Sequence, residues 1–197
     1  ACEIGTWSSP GWPKGAASVR LRFAFGSLAE AEKERGLAHF VEHMAFNGTR
    51  NFPKQDVVTF LQSTGMRFGA HINASTSFDQ TVYSLHIPTE NPAVIDRALL
   101  ILEDWAQNVT FDPVEVDKER GVILEEWRLG LGAAARMLDT QLPILLKGSR
   151  YAERLPIGKP EILQNFAHER LKKFYTDWYR PDLMAVVVVG DFDVAAV

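Results

Sequence analysis

A chain of 197 residues, 46% hydrophobic and 23% charged, is long enough for one sizeable core and ordinary in composition for a globular domain. A formal net charge of −4 and the lack of a concentrated Lys/Arg run argue against a nucleic-acid surface. The longest apolar run, "MAVVVV" (184–189), is strand-sized and far below the roughly 18 residues of a membrane span. With Cys2 as the only cysteine there is no internal disulfide, and redox compartment is not readable from cysteine usage.

In chain order, "ASVRLRFAF" (17–25) alternates, with Val19, Leu21, Phe23 and Phe25 on one face and Arg20, Arg22 and Ala24 on the other, which predicts a half-buried strand. A helical stretch opens at Gly36 and stops at Asn47-Gly48. "FPKQDVVTFLQSTG" (52–65) predicts a helix started by Pro53 and ended near Gly65. Residues 71–88, rich in Thr, Ser, Val, Tyr and Ile, read as extended chain. Asn91-Pro92 starts a helix whose Val94, Ala98, Ile101 and Trp105 form one apolar stripe. Asp112-Pro113 with Glu115 gives a capping-box-like start to a helix through about Arg128. Residues 133–147 and 166–179 read as helices, and 183–191 as a buried strand. Without regular strand–helix alternation, this set predicts an α+β domain, a largely antiparallel sheet covered by helices on one face.

Two of the five histidines stand within five residues, in "GLAHFVEHMAFNGT" (36–49). On a helix, positions i and i+4 share a face, so His39 and His43 can direct ring nitrogens to one ion. Glu42 borders the same face, in the H-x-x-E-H order that inverts the H-E-x-x-H of many metalloproteases. Such a carboxylate can take a proton from a zinc-activated water. Two histidines alone could be a helix flank beside a surface glutamate, but Leu37, Phe40, Val41, Met44 and Phe46 around them favour a metal site. A catalytic zinc needs a third protein ligand. "DKERGVILEEWRLG" (117–130) offers one: Glu119 and Glu126, seven apart, return to one helix face, with Val122 and Ile123 between them. Apolar neighbours on that side predict buried carboxylates that need a cation. Spacing alone leaves Glu125 and Glu126 both open.

Together "RGLAHFVEHMAFNGT", "NASTSFDQTVY", "ERGVILEEW", "YAERLPIG" and "FYTDWYRPDLMAVVVVGDFD" resemble the pitrilysin/insulysin family of zinc peptidases, which includes the mitochondrial processing peptidases. The resemblance runs from about residue 19 to the end and is greatest to bacterial members predicted to be periplasmic, which favours a periplasmic or cell-envelope location. It implies Zn²⁺ held by His39, His43 and Glu126, with Glu42 as general base and Glu119 as a supporting carboxylate. It further implies that Asn73, Ala74 and Ser75 meet an extended peptide substrate through main-chain hydrogen bonds. By the same resemblance, residues 1–197 form one N-terminal peptidase domain of a longer protein, whose second, similar domain or subunit completes the cleft.

Three features depart from the family pattern: the Gly/Pro/Ser-rich "GTWSSPGWPKGAA" ahead of the first strand, His71 in place of an acidic or small residue, and the early end of the chain. Two other readings compete with the endopeptidase. A non-catalytic partner or scaffold subunit would normally carry broken motifs, whereas these are intact. A small-molecule metalloenzyme of related fold, such as S-ribosylhomocysteine lyase, would need a catalytic cysteine, for which Cys2 is a poor candidate. His86, Trp178 and Tyr179 read as structural, and Tyr151 and Arg154 of "YAERLPIG" carry no assignable role.

Overall fold

The computed structural model describes residues 13–193; Cys2 and the first part of the Gly/Pro/Ser-rich stretch lie outside the described residues. Strand β1 (Ala16–Phe23) has the predicted alternation, with Val19, Leu21 and Phe23 buried and Arg20 and Arg22 exposed. It pairs antiparallel with β3 (Thr81–Pro88) on one side and β4 (Met184–Gly190) on the other, while β2 (Ile72–Thr76) pairs antiparallel with β3. The order is β2-β3-β1-β4, so β2 and β4 are the edges. The extended stretch 71–88 is therefore a hairpin, closed by Ser77, whose amide donates to the Gln80 carbonyl at 2.8 Å.

Helices α1 (Leu37–Met44) and α3 (Pro92–Gln107) lie on the buried face of this sheet. The stripe Val94, Ala98, Ile101 and Trp105 is buried as its spacing predicts. Trp105 Nε1 donates to the Ala45 carbonyl at 2.8 Å, which fastens α3 to the end of α1. After Met44 the chain tightens: Phe46 and Asn47 donate to His43 and Met44, three residues back, and Gly48 takes a positive φ of 137°. A second layer is made by α4 (Pro113–Gly130), α6 (Pro160–Asn165) and α7 (His168–Trp178), with α4 packed across α1 and α6, and α7 against α1.

Several expectations need correction. Helix α2 (Asp56–Ser63) begins three residues after Pro53, because Lys54 adopts φ 55°, outside the helical region. The predicted capping box at Asp112 is one-sided: its carboxylate accepts from the Val114 and Glu115 amides, but Glu115 pairs with Lys118 instead. The helix expected over 166–179 is α7, but it begins at His168. Phe166 and Ala167 are extended between α6 and α7, because the Phe166 ring is buried edge-on to Phe40 and covered by the Arg120 guanidinium. Finally, β4 is not a buried strand. Val186, Val187 and Val189 are exposed, since β4 is an edge that the described helices only partly reach. Helix α5 (Ala133–Leu145) likewise buries no residue. The candidate site lies between α1, α4 and the edge strand β2.

Candidate metal centre

Helix α1 is amphipathic, with Leu37, Phe40, Val41 and Met44 in the core, which turns His39, Glu42 and His43 toward α4 and β2. Of α4, Val116 and Ile123 are buried, and Glu119 and Glu126 share their stripe at i, i+3, i+7 and i+10. That stripe faces α1. Glu126 Oε2 lies 3.8 Å from His39 Nε2 and 3.5 Å from His43 Nε2. The three donor atoms all lie within 4.8 Å of one another. Tetrahedral zinc with bonds near 2.0–2.2 Å separates its ligand atoms by roughly 3.3–3.6 Å. The arrangement fits such an ion with small adjustments. Glu125, the alternative, points away and forms a surface ion pair with Arg128.

The donor chemistry fits as well. Glu42, Glu119 and Glu126 converge on two imidazoles, and among the described residues none of the three pairs with Lys or Arg. The His39 ring makes no hydrogen bond among the described residues, its Nδ1 being buried without a partner, and its Nε2 is the nitrogen turned to Glu126 and free for a ligand. Burial, reinforced by the neighbouring His43, pushes the His39 pKa down to about 4, which keeps the ring neutral and able to ligate. His43 Nδ1 bonds Glu119 Oε1 at 2.7 Å, leaving Nε2 toward Glu126. Burial disfavours charge on His43, but the Glu119 bond and the surrounding carboxylates outweigh it, and its pKa is raised. Asn47 Nδ2 in turn donates to Glu119 Oε2 at 2.6 Å, so both oxygens of that carboxylate are held. A carboxylate on the far nitrogen of a ligating histidine fixes the tautomer and orients the ring.

Burial of the two α4 carboxylates is unequal. Glu119 has a side chain 13% exposed, as expected, whereas Glu126 is 51% exposed and Val122 also faces solvent. Glu126 stands two turns farther along α4, at the rim of the site. Glu42 is buried, and desolvation raises its pKa against the opposing hydrogen bond from Thr76 Oγ1 to its Oε2 at 2.7 Å.

Two cavities flank Glu42 and His43. One, of ≈ 450 Å³, includes His39, Ser75, Thr76, Glu126 and Ile157; the other, of ≈ 220 Å³, includes Phe46, Phe68, Asn73 and Glu119, and Ala74 borders both. Among the described residues strand β2 has β3 as its single strand neighbour, so its outer edge runs past the site. Sequence reasoning missed Thr76 and Asn47 as site residues. Thr76 directly follows the Asn73–Ser75 segment, and Asn47 reads in the sequence only as a helix stop. The other histidines stand apart: His71 Nδ1 accepts from the Arg67 amide, His86 shares the half-buried face of β3 with Val82 and Ser84, and His168 pairs with Asp117 at the surface. Trp178 and Tyr179 are packing residues, the Tyr179 hydroxyl meeting that of Tyr83 at 2.7 Å.

Residues 9–129 match the Insulinase (Peptidase family M16) family, and residues 165–197 the Peptidase M16 inactive domain. The chain is 41% identical over 181 residues to the probable zinc protease PqqL of Haemophilus influenzae, covering 92% of this chain and 20% of the relative. It is 32% identical over 185 residues to the mitochondrial-processing peptidase subunit beta of Blastocladiella emersonii, covering 90% of this chain and 37% of the relative. The crystal structure of the first half of the periplasmic protease PqqL from Escherichia coli superposes with TM-score 0.89 at 41% identity, over 93% of this chain and 39% of that one. Pitrilysin, at 23% identity and TM-score 0.77 over 91% of this chain and 19% of that one, shares the fold. The chain spans about a fifth of the length of the PqqL relatives.

Proposed function

The chain belongs to the insulinase family of peptidases (family M16), and on that premise we propose that it carries the zinc-holding, catalytic wall of a metalloendopeptidase that cuts extended peptides. The observation that carries the reading is the convergence of His39, His43 and Glu126 on one point, with the buried Glu42 beside it. Bound there, zinc supplies Lewis-acid polarisation of a scissile carbonyl and activation of a water.

The chain's own groups do the rest. Glu42, desolvated and held at Oε2 by Thr76, accepts the proton of the attacking water and returns it to the leaving amine. Glu119, itself clamped by Asn47, fixes the His43 ring so that Nε2 stays presented. An extended peptide adds to the open edge of β2, where Asn73, Ala74 and Ser75 offer main-chain hydrogen bonds beside Glu42. The greater length of the relatives supports a further domain or subunit forming the opposite wall, with residues 1–197 as one domain on this side. A cell-envelope location follows the description of the E. coli relative as periplasmic, and no described helix is long and apolar enough to cross a membrane. Fractionation of the native host checks that location.

The test is hydrolysis of an unfolded peptide by the complete protein. Cleavage should cease with a chelator, return with Zn²⁺, and be absent in Glu42→Gln while zinc is retained. Cleavage that survives in Glu42→Gln would refute the assignment of the base.

A further inference from the structure

Helix α1 carries three of the four central site residues within its eight residues, yet its N-cap, Gly36, has no side chain with which to cap it. The glycine is required. Its φ is 103°, and a Cβ there would come 2.9 Å from Leu163 Cδ2 and 3.1 Å from the Gly158 Cα. Capping comes instead from Glu30, six residues upstream and fully buried. Its Oε2 accepts from the Gly36 amide at 3.0 Å and its Oε1 from the Ala38 amide at 2.9 Å, one residue before His39.

Glu30 is itself held. Its carbonyl accepts from Arg150 Nη2 at 2.7 Å and from Arg154 Nε at 3.2 Å. Arg154 is buried; its carbonyl accepts from Ser27 Oγ at 2.5 Å and its guanidinium lies 3.2 Å from the Glu32 carboxylate. Four residues on, Gly158 packs its backbone against Gly36, where a side chain would collide. The segment "YAERLPIG" (151–158) thus acquires a role: it braces the start of α1 from outside, through Glu30 and by direct contact.

We propose that Glu30, braced by Arg154, is a positioning residue that sets the axial placement of α1 and thereby the meeting of His39 and His43 with Glu126 on α4. The inference rests on the metal-site reading above. A one-turn helix start is otherwise free to fray, and fraying by one residue displaces His39, which lies only three residues in. His43 is secured independently through Glu119, so loss of Glu30 falls mainly on His39.

The experiment compares wild type, Glu30→Gln, Arg154→Lys and, as a loss of core packing in α3, Val94→Ala, all in the full protein. Three quantities are read: Zn²⁺ affinity by chelator competition, the visible spectrum of the Co²⁺-loaded form, and metal-free amide exchange at Gly36 and Ala38. Glu30→Gln should bind Zn²⁺ about tenfold more weakly, alter the Co²⁺ spectrum and speed exchange at both amides. Arg154→Lys should show the same changes to a smaller degree, and Val94→Ala none of them. If Glu30→Gln does not fold, Arg154→Lys decides. Lower melting temperature with unchanged Zn²⁺ affinity and Co²⁺ spectrum would overturn the proposal, leaving Glu30 a purely structural residue. Absence of Zn²⁺ binding in the wild type would instead refute the metal site and with it the positioning of its ligands, while exchange at the two amides would still report the cap itself.

Discussion

Replacing Glu119 by Gln separates two opposing effects of one carboxylate on a histidine. In the native arrangement Oε1 accepts from His43 Nδ1 at 2.7 Å and Oε2 accepts from Asn47 Nδ2 at 2.6 Å. A glutamine offers one acceptor and one donor, so it can satisfy His43 or Asn47 but not both, and its amide carries no charge. Lost outer partners of ligating histidines typically weaken metal binding about 10–100-fold, or roughly 1.4–2.8 kcal/mol. The same carboxylate, however, is the main reason the His43 pKa is raised, and a proton on Nε2 competes with the metal. Without Glu119 that competition weakens. The penalty should therefore be full on the alkaline side of the wild-type His43 titration, which the Glu119 bond holds above the ordinary imidazole range, and shrink as pH falls through it. Chelator competition with Zn²⁺ at several pH values measures it directly. Equal affinities on the alkaline side of that titration, or a penalty that grows on acidification, would refute the coupling of Glu119 to His43.

Thr76→Val removes the hydroxyl that donates to Glu42, a hydrogen bond to a charged group worth about 1.5–3 kcal/mol; kcat for peptide cleavage should fall roughly 10–100-fold with zinc content unchanged, and Thr76→Ser should restore it. His39 has a folded-state pKa of about 4 against 6.5 for the free side chain. The unfolded chain therefore takes the proton first, so His39 alone contributes a loss of roughly 3 kcal/mol to the metal-free protein as pH falls from 6.5 through 4. Denaturant titration reads it as the difference in pH dependence between wild type and His39→Asn, because the buried Glu30 and Glu42, whose pKa values are raised, act in the opposite sense in both. Gly36→Ala places a side chain at positive φ against Leu163 and Gly158, and should destabilise the fold by about 2 kcal/mol or more in the same assay.

The helix pair of the site was legible because its signal is periodic: His39, Glu42 and His43 had to share a face, and Glu119 with Glu126 had to return to one. Periodicity could not choose between Glu125 and Glu126, which depends on how α4 is rolled against α1. That roll is set by Val116 and Ile123, the two buried residues of a weakly amphipathic helix. Nor could periodicity reveal Thr76, Asn47 or Glu30, whose partners lie 34, 72 and six to eight residues away and meet only through tertiary packing. The apolar run at 184–189 misled for a related reason. Composition made β4 a strand, but its place at the sheet edge, invisible in the sequence, determines how much of it is covered.

The central claim is the ligand set, and bound zinc per chain tests it most directly. Wild type, Glu42→Gln and Glu126→Gln are dialysed briefly against metal-free buffer and their zinc is quantified. About one zinc per chain is expected in the wild type and in Glu42→Gln, and little in Glu126→Gln. Zinc retained by Glu126→Gln, or absent from the wild type, would contradict the site.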